Sequence, residues 1–147
     1  MKSAARGFTL IELLVVITII VIASAVTSLA IRDSSSTRLE REGARLSALL
    51  ESARAEARAS ALAVRWELRT STPDKPQDFR FVGLPPSERL PQRWLVPGIG
   101  AEIVGARAVV LGPEPLIGAQ RIVLSLEGRR LVLATDGLSP FSVVDEQ

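Results

Sequence analysis

Apolar and polar positions recur along this chain on three different periods, and each period predicts a different element. Residues 13–31 form a run of 19 residues without a charge. At ~1.5 Å per residue a helix of that length spans about 28 Å, close to the ~30 Å hydrocarbon core of a bilayer. Thr18, Ser24, Thr27 and Ser28 interrupt the run mildly. Their hydroxyls can bond a carbonyl one turn earlier, so lipid tolerates them. Lys2 and Arg6 precede the run, which places the N-terminus in the cytoplasm by the positive-inside rule. Arg32, Asp33 and three serines follow it. They read as the exit from the membrane, and a helix break with a new N-cap at Ser36 or Thr37 also fits.

The second period is helical and amphipathic. Residues 37–64 are rich in Ala, Leu, Arg and Glu, which favour helix. Leu39, Gly43, Leu46, Leu50, Ala53, Ala57 and Val64 recur at steps of three and four, with one heptad-length gap, and form one stripe. Arg38, Arg41, Glu42, Arg45, Glu51, Arg54, Glu56 and Arg58 are expected on the other faces, with Arg38 and Glu42 as an i,i+4 pair. The stripe is expected to pack on the chain's own C-terminal residues.

The third period is two. Residues 64–69, 79–82, 93–96 and 101–111 are predicted strands. Residues 121–134 are a predicted hairpin: Ile122, Leu124 and Leu126 alternate, Glu127 and Gly128 turn, and Leu131 and Leu133 return. Residues 141–144 make a last short strand. All nine prolines lie between Pro73 and Pro140, so the first half is free to be helical and the second is broken by turns. The expected fold is α+β: a long N-terminal hydrophobic helix, half in the membrane and half amphipathic, packed on an antiparallel sheet domain. The expected organisation is 1–7 leader, 8–31 transmembrane and assembly helix, 32–65 amphipathic helix and 66–147 β-rich domain. About 75 residues after Thr72 are few for an independent core, so the helix should supply the second layer.

Composition then removes chemistries. The chain has no His and no Cys. A Ser–His–Asp triad, a Cys nucleophile and a His/Cys zinc site are excluded. Glu88, Glu102, Glu114, Glu127 and Asp136 show no paired spacing and are expected as solvated loop or strand-edge charges. No enzyme, cofactor or metal is therefore expected. Arg107, Arg121, Arg129 and Arg130 are the candidates for a DNA-binding patch, but acidic residues are interspersed. Removing Lys2 and Arg6 with the leader leaves 16 basic against 16 acidic residues, so no nucleic-acid partner is expected.

The segment Arg6-Gly7-Phe8-Thr9-Leu10-Ile11-Glu12-Leu13-Leu14 carries the most information. A short basic stretch ends in glycine and an apolar run begins at once. A secretory signal places its cleavage site after the apolar region. Ala23-Ser24-Ala25 mimics such a site, but its run-in is long and carries Glu12. Glu12 is an anomaly beside a membrane segment, where a carboxylate costs up to ~2.5–3.5 kcal/mol at the bilayer centre. Cleavage after Gly7 would give Phe8 a free amine one helical turn from Glu12.

Residues 7–12 resemble the processing site of type IV pilins and type II secretion pseudopilins. The resemblance implies that prepilin peptidase cuts after Gly7 and methylates Phe8, and that Glu12 is the family's assembly glutamate. It covers about residues 1–31. Residues 41–50 with Ala53, Arg54, Glu56 and Ala57 resemble the first periplasmic helix of the H-type minor pseudopilins, the GspH/FimT family. Asp136-Gly137 followed by Pro140-Phe141 resembles the same family near its C-terminus. What this implies is a minor pseudopilin of the type II secretion system. Its implied place is the bacterial inner membrane, single-pass, with a periplasmic C-terminal domain. Its implied partners are prepilin peptidase, other major and minor pseudopilins and the inner-membrane secretion platform. The alternatives are a minor pilin of type IV pilus biogenesis, a DNA-uptake pilin and a membrane-anchored periplasmic enzyme.

Overall fold

A computed structural model of the chain describes residues 9–70 and 77–144, with residues 25–34 described by their backbone alone. The elements run α1 (Leu10–Ala59), β1 (Arg65–Arg69), β2 (Asp78–Val82), β3 (Gly100–Ile103), β4 (Ala108–Val110), β5 (Gln120–Leu126), β6 (Arg129–Thr135) and β7 (Ser142–Val144). The chain divides into two units, Met1–Ser34 and Ser35–Gln147.

In the first unit the backbone is helical from Leu10, and every described side chain is exposed. Thr18 Oγ1 donates to the Leu14 carbonyl at 2.8 Å and Ser24 Oγ to the Ile20 carbonyl at 2.7 Å, so both hydroxyls are satisfied within the helix. Among the described residues no helix is long and apolar enough to cross a membrane. Part of the expected span, residues 25–31, has side chains outside those described.

The second unit is α+β. One antiparallel sheet has the order β2-β1-β4 and the other β3-β5-β6-β7. The predicted stripe is the helix's contribution to the core: Leu39, Gly43, Leu46, Leu50, Ala53 and Ala57 are all buried, together with Val64. All of them except Gly43 share one hydrophobic cluster with Trp66, Phe79, Val109, Ile122, Leu124, Leu133 and Phe141. Gly43 lets the helix close on the sheet, because a Cβ there would lie 2.9 Å from the Leu131 side chain. The hairpin forms as predicted. Leu126 pairs with Arg129 around Glu127 and Gly128, both at positive φ, which is the geometry of a two-residue type I′ turn.

Several expectations are corrected. The helix stops at Ala59, short of Val64, because Ala61 enters the left-handed region at φ 51°. Leu62 N–H then reaches back to the Ala57 carbonyl at 2.9 Å, a Schellman-type ending. The three serines neither break nor recap the helix: the backbone is helical there, and Ser36 Oγ bonds Glu40 at 3.1 Å. Residues 101–111 are two strands in different sheets, separated by a turn at Gly105 with φ 73°. Residues 93–96 are no strand. Helix side chains take up that segment's backbone groups: Leu95 N–H donates to Glu42 at 3.4 Å, and Arg45 donates to the Arg93 carbonyl at 3.3 Å. Trp94 packs instead on Phe79, with ring centroids 4.6 Å apart.

The charged faces of the helix also differ from expectation. Glu42 and Arg54 are 2% and 1% exposed. Glu42 pairs with Arg45 at 2.5 Å, not with Arg38, and Arg38 lies 3.8 Å from Glu127. The 3.6-residue period places Glu42 and Arg54 beside the stripe, and the loops of residues 93–95 and 136–141 cover them there.

Candidate functional sites

The first site is the start of α1. Thr9 is the N-cap: its Oγ1 accepts the Glu12 N–H at 3.3 Å, and its carbonyl accepts Glu12 N–H at 3.1 Å and Leu13 N–H at 3.2 Å. Glu12 thus stands third in the helix, where a carboxylate meets the positive end of the helix dipole. Thr-x-x-Glu at a helix start is the capping-box spacing, a signal of the helix start that the sequence itself carries. The Glu12 side chain is exposed, as are its neighbours Ile11 (71%) and Leu13 (52%). Gly7 and Phe8 lie outside the described residues. Apart from Glu12 and Thr18, the exposed residues from Leu10 to Ile22 are all Leu, Ile or Val, a larger apolar surface than the scattered apolar residues of a water-facing helix and one of the kind that marks an interaction with a membrane or another protein.

The second site is a clamp that periodicity did not reveal. Three side chains of α1 hold the loop that follows β6. Ser47 Oγ donates to the Phe141 carbonyl at 2.5 Å, and Phe141 N–H donates to Glu51 at 3.1 Å. Arg54 donates to the Ser139 carbonyl at 3.1 Å and the Gly137 carbonyl at 2.5 Å. Within the loop, Asp136 accepts from the N–H groups of Leu138 (2.9 Å) and Ser139 (2.7 Å). Those backbone bonds, chiefly that from Ser139, lower the Asp136 pKa. Thr135 Oγ1 closes the loop by donating to Ser139 at 2.6 Å. So the Asp136-Gly137 and Pro140-Phe141 pairs singled out in the sequence belong to one ordered turn. Leu138 stands out from it, 71% exposed.

The remaining candidates are dispersed. Glu88, Glu102, Glu114 and Asp136 are exposed and do not converge. Glu127 is exposed too, yet it accepts a hydrogen bond from the buried Ser35 hydroxyl across the unit. Among the described residues no cluster of acidic side chains could hold a metal ion. Arg129 and Arg130 are exposed side by side, while Arg121 lies at the other end of the β5–β6 hairpin, paired with Ala134.

Residues 2–28 match the family described as the prokaryotic N-terminal methylation motif. This prepilin-type motif supports a type IV pilin-like, membrane-anchored protein. It implies processing by prepilin peptidase and assembly with other pilin-like subunits, and the α+β second unit is consistent with a pilin-like fold. No curated protein and no solved structure matches the chain.

Proposed function

We propose that this chain is a minor pseudopilin of the H type, a structural and non-enzymatic subunit of the periplasmic pseudopilus of a type II secretion system. In this reading it resides in the inner membrane, single-pass, with its N-terminus cytoplasmic and its C-terminal domain periplasmic. Prepilin peptidase removes residues 1–7 and methylates Phe8. Residues 8–31 serve as the membrane and assembly helix, and Glu12 receives the charge of a neighbouring subunit's amine. The subunit joins other major and minor pseudopilins on the inner-membrane secretion platform and helps export folded proteins across the outer membrane.

The observation that carries this reading is the methylation motif running straight into an apolar helix with no buried side chain among its first described residues. The choice of a secretion subunit over a pilus subunit rests on the resemblance of residues 41–57 and 136–141 to H-type minor pseudopilins. Two measurements test it. Intact mass from cells with and without prepilin peptidase should place the mature N-terminus at a methylated Phe8; an N-terminus near Ala25 would restore an ordinary signal peptide. Deletion of the gene should leave folded exoproteins in the periplasm. Loss of pili with normal secretion would assign the chain to type IV pilus biogenesis instead.

A further inference from the structure

Two outer strand edges of the second unit meet glutamine side chains. β4 stands at one end of its sheet and pairs, among the described residues, with β1 alone. Leu111 N–H donates to the Val64 carbonyl at 2.9 Å, so position 111 faces β1. In an antiparallel pair the backbone groups of successive residues point to opposite edges, so the N–H and C=O of Val110 point outward. Both are engaged there by one side chain. Val110 N–H donates to Gln120 Oε1 at 2.7 Å, and Gln120 Nε2 donates to the Val110 carbonyl at 2.9 Å.

Those two bonds are the pair that a residue of a neighbouring antiparallel strand would make. Gln120 makes them with its side-chain amide, while its backbone lies in the other sheet opposite Thr135. Gln77 repeats half of the arrangement on β3. Val104 N–H donates to the Arg121 carbonyl at 3.0 Å, so by the same alternation Ala101 N–H points away from β5, and Gln77 Oε1 accepts it at 2.8 Å. The Ala101 bond is part-buried, whereas both Gln120 bonds are exposed and Val110 is exposed beside them. The β4 edge is the one that a second chain could reach.

We propose that the Gln120 carboxamide is a surrogate strand residue that seals the β4 edge against pairing with the β4 edge of a second copy. An open edge is a template for its own kind, because two antiparallel copies about a two-fold axis offer each other the same groups. With Gln120 in place the Val110 N–H is already used, and the side chain stands where the second strand would lie. The residue type matters. A primary amide offers the donor and the acceptor that a peptide group offers, whereas a carboxylate has no donor. Assembly with other pilin-like subunits brings such edges together, and an open one would pair out of place. The inference does not depend on whether the chain serves a pseudopilus or a pilus.

The experiment uses the full chain in detergent micelles. The chain has no Cys, so Val110→Cys places a single thiol at the edge, and a short bis-maleimide is the probe. With Gln120 present, little crosslinked dimer is expected at any protein concentration. Adding Gln120→Ala should raise the dimer yield several-fold and make it climb with concentration. Gln120→Asn keeps the amide but draws it back by one methylene. It should behave like Gln120→Ala, and it carries the test where the alanine variant perturbs the fold. Hydrogen exchange at the Val110 amide, read in chains that keep Val110, should be slow in the unaltered chain and quicken in both variants. Equal crosslinking with and without Gln120 overturns the proposal, and so does free exchange of Val110 in the unaltered chain. Quickened exchange without crosslinking overturns it too, since Gln120 would then only tie one sheet to the other.

Discussion

Arg54 donates to the carbonyl of Gly137 at 2.5 Å, across 83 positions of sequence. The guanidinium is 1% exposed, and its other amine reaches Ser139 at 3.1 Å and lies 3.6 Å from Glu51. Its charge is held in the interior by two carbonyls and one carboxylate, which is the condition for burying it. Arg54→Ala removes donors from both carbonyls at once. The full chain in detergent should lose about 2–4 kcal/mol of stability, read as a lower melting temperature. Arg54→Lys should not restore it, because an ammonium lacks the planar fork that reaches both carbonyls. Equal melting temperatures for the three proteins would show that the loop holds itself.

Leu50 lies at the centre of the helix stripe and is fully buried. Leu50→Asp would place a charge there with no partner. A loss of at least about 3 kcal/mol is expected, seen as collapse of the denaturation midpoint. An unchanged midpoint would mean that the stripe faces another protein instead.

Glu127 occupies the first position of the β5–β6 turn at φ 48°, a conformation that suits Asn or Gly better than Glu. What Glu127 contributes is its reach to Ser35, which is 3% exposed, and to Arg38. Glu127→Asn should therefore relieve the turn and release the helix. Hydrogen exchange at residues 35–38 is expected to quicken while residues 129–135 keep their protection. Uniform protection in the variant would reduce Glu127 to an ordinary turn residue.

Asp136 gives a pH dependence with a definite sign. Its folded pKa is lowered, chiefly by the Ser139 and Leu138 N–H groups. Its contribution to stability is complete above the unfolded carboxyl pKa of about 3.9 and disappears as pH falls through the lower folded value. Asp136→Asn should melt below the parent protein at neutral pH. The gap should close as pH falls below about 4. A gap that stays constant to pH 2 would show that the carboxylate's charge contributes nothing to the turn.

Glu12 is tested through assembly. Glu12→Leu keeps Gly7, Phe8 and the apolar run, so insertion and cleavage should proceed. Crosslinks to pilin-like neighbours should fail and secretion should fall. Glu12→Asp should be intermediate, its carboxylate drawn back by one methylene. The pairing with a neighbour's Phe8 amine would supply register more than raw stability, since desolvation offsets much of the attraction. Filament entry of Glu12→Leu at the parental level would remove that role.

The local patterns were legible in the chain itself. The buried stripe from Leu39 to Ala57 and the hairpin around Glu127 and Gly128 both depend on near neighbours: helical period, strand alternation and turn chemistry. The fate of the charges was not legible. Glu42 and Arg54 look like surface residues of an amphipathic helix, and loops some 50 and 85 positions away bury them. The same long-range bonds turned residues 93–96 from a strand into a loop, because Glu42 and Arg45 supplied the partners that a sheet neighbour would have given. The division of residues 101–111 between two sheets likewise depended on β5 and β1 lying on either side. Periodicity says which face of an element is apolar. Only the folded chain decides which distant backbone groups meet the polar faces, because those hydrogen bonds form between residues that share no local pattern.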